Sequence, residues 1–306
     1  MALEPIKRRP FSDPEEAAAQ EAIVRAVEAD PDFFIQRYFK DRRSFDGRYI
    51  SADLFKETFD LYRASKESRA KYNNPAHNAA AVLSAELFRR TLADTTCPER
   101  DTVVFITGIP GAGKTTSVIV GGEMPSSFRL IFEGQLVRPE TTLPKIQQVL
   151  DAGLKPLIIA VHALPEDALR NTRTRLAEYG RGASIEVMAF IQGNLPAGLR
   201  AVHERFGEAV ELLVFDYRDR AKPQCSEGWG GLSELESEGS YEHIKNRLTA
   251  EFCSQPKKAK IAASTSAECF FMTSNEIFAW IANVLNGMHL IHIAIYFRKK
   301  STGMLS

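Results

Sequence analysis

The run Gly108-Ile109-Pro110-Gly111-Ala112-Gly113-Lys114-Thr115 constrains this chain more than any other stretch. It satisfies the spacing G-x-x-x-x-G-K-[ST], follows the continuous apolar segment 102–107 and opens a helical pattern at 114–120, which is the context the spacing requires. Glycines at these positions let the backbone curl so that successive N–H groups point inward, at a helix N-terminus already biased toward anions. The residue types assign themselves to a nucleotide's phosphates. Gly108, Pro110, Gly111, Ala112 and Gly113 form the cradle, Lys114 faces the β- and γ-phosphates, the Thr115 hydroxyl ligates Mg²⁺, and Thr116 faces the α-phosphate. The sequence therefore predicts ATP and Mg²⁺ as the bound groups.

The surrounding pattern sets the fold class. Apolar strands are expected at 102–107, 128–132, 155–161, 184–191 and 210–216, with helical patterns between them at 114–120, 143–152, 165–179 and 197–206. That alternation predicts an α/β fold of P-loop NTPase type, a mainly parallel sheet flanked by helices. Residues 12–96 read as mostly helical, with helices at 14–29, 54–68 and 78–92. The short β-favouring run 48–51 interrupts them and leaves Asp53 where a strand gives way to a helix. Residues 218–268, rich in Ser, Glu, Gly and Lys, read as a connection carrying one helix near 241–252. The organisation expected is an N-terminal helical region (1–47), a core (48–216), and a linker with a C-terminal apolar appendage (217–306).

Composition narrows the partners. With 39 Lys+Arg against 39 Asp+Glu the net charge is +0, so there is no global attraction to nucleic acid. The apolar run 270–297 is interrupted by Asn283, Asn286, His289 and His292, which argues against a membrane span. No apolar stretch follows the basic residues of the N-terminus, and the four cysteines (Cys97, Cys225, Cys253, Cys269) lack zinc or disulfide spacing. A cytoplasmic location is the expectation.

A phosphate cradle serves switches, motors and kinases alike. The chain has no guanine-reading N-K-x-D, and the strand ending at Asp216-Tyr217 lacks the glutamate of a hydrolytic motor. A small-molecule kinase needs a carboxylate to take a proton from the acceptor hydroxyl, and cations to offset charge on the moving phosphoryl group. Asp53 is the candidate base, with an N-cap as its structural alternative. Arg170, Arg173, Arg175 and Arg181 offer a lid of cations, or a solvated helix face. His77 either touches substrate or packs, while His162, at the end of a strand, reads as structural.

The Walker loop, Ile131-Phe132-Glu133-Gly134-Gln135, the arginine segment 175–181, and Asn194-Leu195-Pro196 with Leu199 together resemble the zeta-toxin family of kinases. So do Ser51-Ala52-Asp53-Leu54-Phe55-Lys56, which matches a D-x-F-[RK] segment, and the run Tyr72-Asn73-Asn74-Pro75-Ala76-His77-Asn78-Ala79. The resemblance spans roughly residues 48–216. It implies ATP-dependent phosphorylation of a sugar hydroxyl on UDP-N-acetylglucosamine, or of NAD in a related branch, with an antitoxin protein as partner. It also implies Asp53 as catalytic base, Lys114, Arg175 and Arg181 at the transferring phosphoryl group, and Glu133 and His77 on the acceptor side. Two departures stand out: Gln135 replaces the family's threonine, and Asp53 precedes Lys114 in the chain instead of following it. The permuted order requires the strand at 49–51 to lie beside the glycine-loop strand. A different reading is an ATP-dependent switch whose apolar tail docks a partner or membrane.

Overall fold

The computed structural model describes residues 3–114 and 123–254. Thr115, Thr116, the helix expected over 114–120 beyond its first residue, and the apolar run 270–297 lie outside the described residues. Residues up to Lys114 and from Ser126 to the end of the described chain belong to one compact unit.

Six strands form one sheet among the described residues: β1 (Tyr49–Ser51), β2 (Thr102–Gly108), β3 (Phe128–Glu133), β4 (Lys155–His162), β5 (Glu211–Asp216) and β6 (Gln224–Glu227). Their order is β1-β3-β2-β4-β5-β6, parallel throughout except for β6, which runs antiparallel to β5. All of β2 and all of β4 beyond Lys155 are buried. This is why those segments read as unbroken apolar runs and do not alternate. The fold is α/β, with a mostly parallel sheet flanked by helices.

The flanking helices are α1 (Pro14–Ala29), α2 (Pro31–Phe39), α3 (Ala52–Lys56), α4 (Asp60–Arg63), α5 (Lys66–Lys71), α6 (His77–Ala93), α7 (Pro139–Asp151), α8 (Pro165–Tyr179), α9 (Ile185–Phe206), α10 (Leu232–Glu236) and α11 (Tyr241–Ser254). Helix α6 packs on β1 and β3, α7 on β4, and α9 on β2. None of the described helices is long and apolar enough to cross a membrane.

Four features differ from the sequence expectation, each for a local reason. Residues 184–191 open helix α9 and are not a strand. Ser184 caps it by accepting from the Val187 N–H, and the buried Met188, Ala189, Ile191, Gln192 and Leu195 follow helical spacing; a short apolar run is ambiguous until its partners are known. The single helix expected over 54–68 is broken into α3, α4 and α5. Phe59 and Ser65 take extended backbone, and the Thr58 hydroxyl donates to the Phe55 carbonyl. Strand β6 was not visible because it is short, polar and on the sheet edge. Finally, β1 does not lie beside the glycine-loop strand β2: β3 stands between them.

Strand β1 is an edge, and a side chain completes it. The Tyr38 hydroxyl donates to the Tyr49 carbonyl (2.6 Å) and accepts from the Ser51 N–H (3.0 Å). Its ring stacks on Phe55 at a centroid distance of 3.8 Å. Tyr38 thus ties α2, β1 and α3 together. Replacing it with Phe keeps the stack and strands two buried backbone groups. Tyr38→Phe is expected to lower the unfolding free energy by about 1–3 kcal/mol in urea denaturation.

Candidate functional site

The glycine loop leaves β2 at the carboxyl edge of the sheet, where α/β folds bind ligands. Gly108, Gly111 and Gly113 all have positive φ. At Gly111 a side chain is excluded twice over: its φ is +90°, and a Cβ would lie 2.3 Å from the Ala168 carbonyl oxygen and 2.7 Å from Thr172 Oγ1. Helix α8 lies directly against the loop. The Asn171 amide donates to the Gly111 carbonyl (2.9 Å) and the Thr172 hydroxyl to the Pro110 carbonyl (3.2 Å). These bonds take up outward-facing carbonyls of the loop. Ala112 packs against an apolar cluster that includes Ile109, Ala168 and Leu169.

Lys114 folds over this loop. Its Nζ donates to the carbonyls of Gly108 (3.2 Å) and Ile109 (3.4 Å) and lies 3.5 Å from Glu133 Oε1. The other Glu133 oxygen, Oε2, accepts from the Tyr49 hydroxyl at 2.7 Å. Glu133 ends β3, in register with Ser51 of β1 on one side and Ile106 of β2 on the other. The carboxylate is therefore held between the two strands that carry Asp53 and the loop. Gln135 meets β2 through its backbone, its carbonyl accepting from the Thr107 hydroxyl (2.8 Å).

Asp53 sits in the first turn of α3, two residues past the end of β1. It is not the helix cap, a position that Ser51 fills. Lys56, one turn on, buries its side chain to 3% exposure and places Nζ 2.9 Å from Asp53 Oδ1 and 2.7 Å from Asn73 Oδ1. Arg181 Nη2 approaches Asp53 Oδ2 at 3.8 Å. The Asp53 side chain nonetheless keeps 56% of its surface open to solvent. It is thus paired on two sides and still reachable from solvent. Burial pushes the Asp53 carboxyl upward, but the charge and hydrogen bond of Lys56, helped by Arg181 and His77, outweigh it and hold the group well below the usual carboxylate range. His77, the first residue of α6, is partly buried. Desolvation and the Lys56 cation lower it to about 4 despite the pull of Asp53, so it is neutral at physiological pH.

The arginines divide. Arg181 follows the α8 C-cap Gly180 and is the one that meets Asp53. Gly180 has φ +70°, and a Cβ there would lie 2.0 Å from the Lys66 carbonyl, so the turn after α8 rests on α5 in a manner open only to glycine. Arg175 is exposed on α8, and no described contact links its side chain to Asp53, Glu133 or Lys114. Arg170 pairs with Asp167 and with Glu251 of α11, and Arg173 lies over the Phe252 ring at 4.9 Å. His162 is buried and faces Glu238 at 3.4 Å, within a network where Arg247 joins Glu238 to Glu166 and Arg218 grips Asp216. That network ties residues 216–254 to the end of β4 and the start of α8.

A scan against models of known protein families finds no match, and a search of curated proteins finds none.

The sequence singled out Asp53, Lys114, Glu133, His77, Arg175 and Arg181, and held Lys56 and Asn73 only as members of the segments 51–56 and 72–79, with no role of their own. The i,i+3 spacing of Asp53 and Lys56 on a helix was a further usable signal. Tyr49 gave none, because its partner lies 84 residues away.

The two shifted groups make acid predictions of the same sign in different pH windows. Asp53 is lowered in the folded state, so its pairing stabilises the protein above the unfolded carboxyl value of about 3.9 and is lost as pH falls through the folded value. Lys56→Met should raise the Asp53 pKa, read by carboxyl-carbon NMR titration, and so shrink this acid loss. His77 is also lowered, so between pH 6.5 and about 4 the unfolded chain binds a proton that the folded one refuses. Stability should fall across that window in urea melts, and His77→Asn should flatten the fall.

Proposed function

We propose that this protein is an ATP-dependent small-molecule kinase of zeta-toxin type, which moves the γ-phosphoryl group of ATP to a sugar hydroxyl of a nucleotide sugar such as UDP-N-acetylglucosamine. One observation carries the reading. Two charged pairs from four separate segments lie at the carboxyl edge of the one sheet: Lys114 with Glu133, 3.5 Å apart, and Arg181 with Asp53, 3.8 Å apart, on strands kept in register by β3. The strand order supports it as well. β2 has β3 on one side and β4 on the other, so the loop leaves the sheet where the chain's crossovers change direction, as phosphate-binding loops do.

In this reading the loop amides and Lys114 hold the β- and γ-phosphates, and the acceptor hydroxyl lies over Asp53. The hydroxyl oxygen attacks γ-phosphorus in line while the bond to the β-phosphate oxygen breaks. ADP departs, and the hydroxyl proton passes to the Asp53 carboxylate. An aspartate held this far into its ionised range is a weak proton acceptor. That suits a loose transition state, in which orienting the hydroxyl and accepting a late proton matter more than early deprotonation. Arg181 offsets charge gathering on the transferring group. Lys56 and Asn73 are positioning residues for Asp53, and Tyr49 for Glu133. Glu133 orients the acceptor, and Thr115, by its place in the motif, would hold Mg²⁺ shared with the phosphates. The ion would neutralise phosphate charge.

The test is direct. Protein incubated with ATP, Mg²⁺ and either UDP-N-acetylglucosamine or NAD is expected to add one phosphate to the sugar nucleotide by mass spectrometry. Transfer to NAD alone would assign the dinucleotide branch, and transfer to neither would overturn the kinase reading. Asp53→Asn should retain ATP binding and lower the rate by about 10²–10⁴-fold. Lys114→Ala should lower it by about 10²–10³-fold or more.

A further inference from the structure

A groove of about 270 Å³ opens between α8, the start of α9 and the C-terminal turn of α11, lined by Leu169, Thr172, Arg173, Leu176, Ile185 and Phe252 among others. We infer that this groove holds the base of the nucleoside triphosphate whose phosphates lie on the glycine loop. The inference rests on the nucleotide-binding reading above and adds where the base goes and which residues grip it.

Three observations favour a base as the occupant. The first is continuity with the loop. Thr172 lines the groove and also donates to the Pro110 carbonyl, while Ala112 of the loop and Ala183 and Ile185 of the groove pack on the same apolar cluster, which contains Leu169. The groove thus shares a wall and an apolar cluster with the loop that would anchor the phosphates. The second is the chemistry of the walls. Phe252 leaves 51% of its surface exposed, with the Arg173 guanidinium 4.9 Å from the ring centroid. A phenyl face and a guanidinium plane are the groups on which nucleobases stack. The third is a donor without an acceptor. Arg173 Nη1 is buried and has no hydrogen-bond partner among the described residues, and the ring nitrogens of a base are acceptors of the kind it lacks. At about 270 Å³ the space lies at the small end of ligand sites and has room for a heterocycle.

The experiment separates base from phosphate. Isothermal titration of the full chain with Mg-ATP and, separately, with Mg-tripolyphosphate reads both subsites. Phe252→Ala and Arg173→Met should each weaken ATP binding, the former by about tenfold as expected for losing one stacked base, and neither should change tripolyphosphate binding. Phe252→Trp, which keeps a stacking face, should hold ATP affinity within about twofold of the parent. Thermal unfolding of each variant guards against misfolding, which the exposure of Phe252 makes a minor concern. If both variants leave ATP affinity unchanged, or weaken tripolyphosphate as much as ATP, the base does not lie in the groove while the phosphate loop stands. If the parent protein binds neither ligand, the nucleotide reading itself falls and takes the groove assignment with it.

Discussion

Helix α8 crosses the carboxyl edge of the sheet pressed against neighbours at two places where a methyl group would not fit. At Gly111 the loop meets the Ala168 carbonyl, and at Gly180 the helix end meets the Lys66 carbonyl; a Cβ would stand 2.3 Å and 2.0 Å from those oxygens. Contacts this close fix the helix at both ends. Because α8 is fixed, Arg181 arrives at Asp53, Asn171 and Thr172 take up the loop's outward carbonyls, and the Arg173 face looks into the groove beside Phe252. One rigid element thereby relates the loop, the carboxylate and the groove. Close-packed interiors transmit small displacements, so an added methyl at either glycine reaches all three.

The carboxylates are arranged by sheet register. Ser51, Glu133 and Ile106 lie abreast on β1, β3 and β2, so the chain positions that follow them open onto the same edge whatever their order in sequence. Asp53 can thus precede the glycine loop by some sixty residues and still share its edge, because a site depends on placement in space. β1 is a three-residue edge strand, and so much of its geometry falls to Tyr38, whose hydroxyl serves both backbone groups that β3 does not reach.

Two kinds of electrostatic arrangement meet at that edge. Lys56 is almost fully buried and is tolerable there only because two oxygens, from Asp53 and Asn73, surround its ammonium group. Glu133 is split between a phenol and a lysine. Each pairing fixes a side chain's direction more than it adds stability, since exposed or half-exposed ion pairs contribute little. Farther along the sheet, the network around His162, Glu238 and Arg247 has a different task, seating α11 against α8 so that Phe252 reaches Arg173.

The sequence alone settled the α/β class, the strands at 102–107, 128–132, 155–161 and 210–216, the helices at 14–29 and 165–179, and the glycine loop with its lysine. Those features are local: an apolar run long enough to be covered on both faces, a cap beside a proline, a glycine spacing before a helix. Asp53 and Glu133 were legible as candidates, but the register that sets Ser51 beside Glu133 was not. Tertiary structure decided that β3 stands between β1 and β2, that 184–191 is helix, that Arg181 and not Arg170, Arg173 or Arg175 pairs with Asp53, that Tyr38 completes the edge of β1, and that Tyr49 bonds Glu133 while Lys56 joins Asp53 to Asn73. Each of these depends on partners far away in the chain. Their energies come from burial and hydrogen bonds across packed elements, and no periodicity or spacing within a single segment records them.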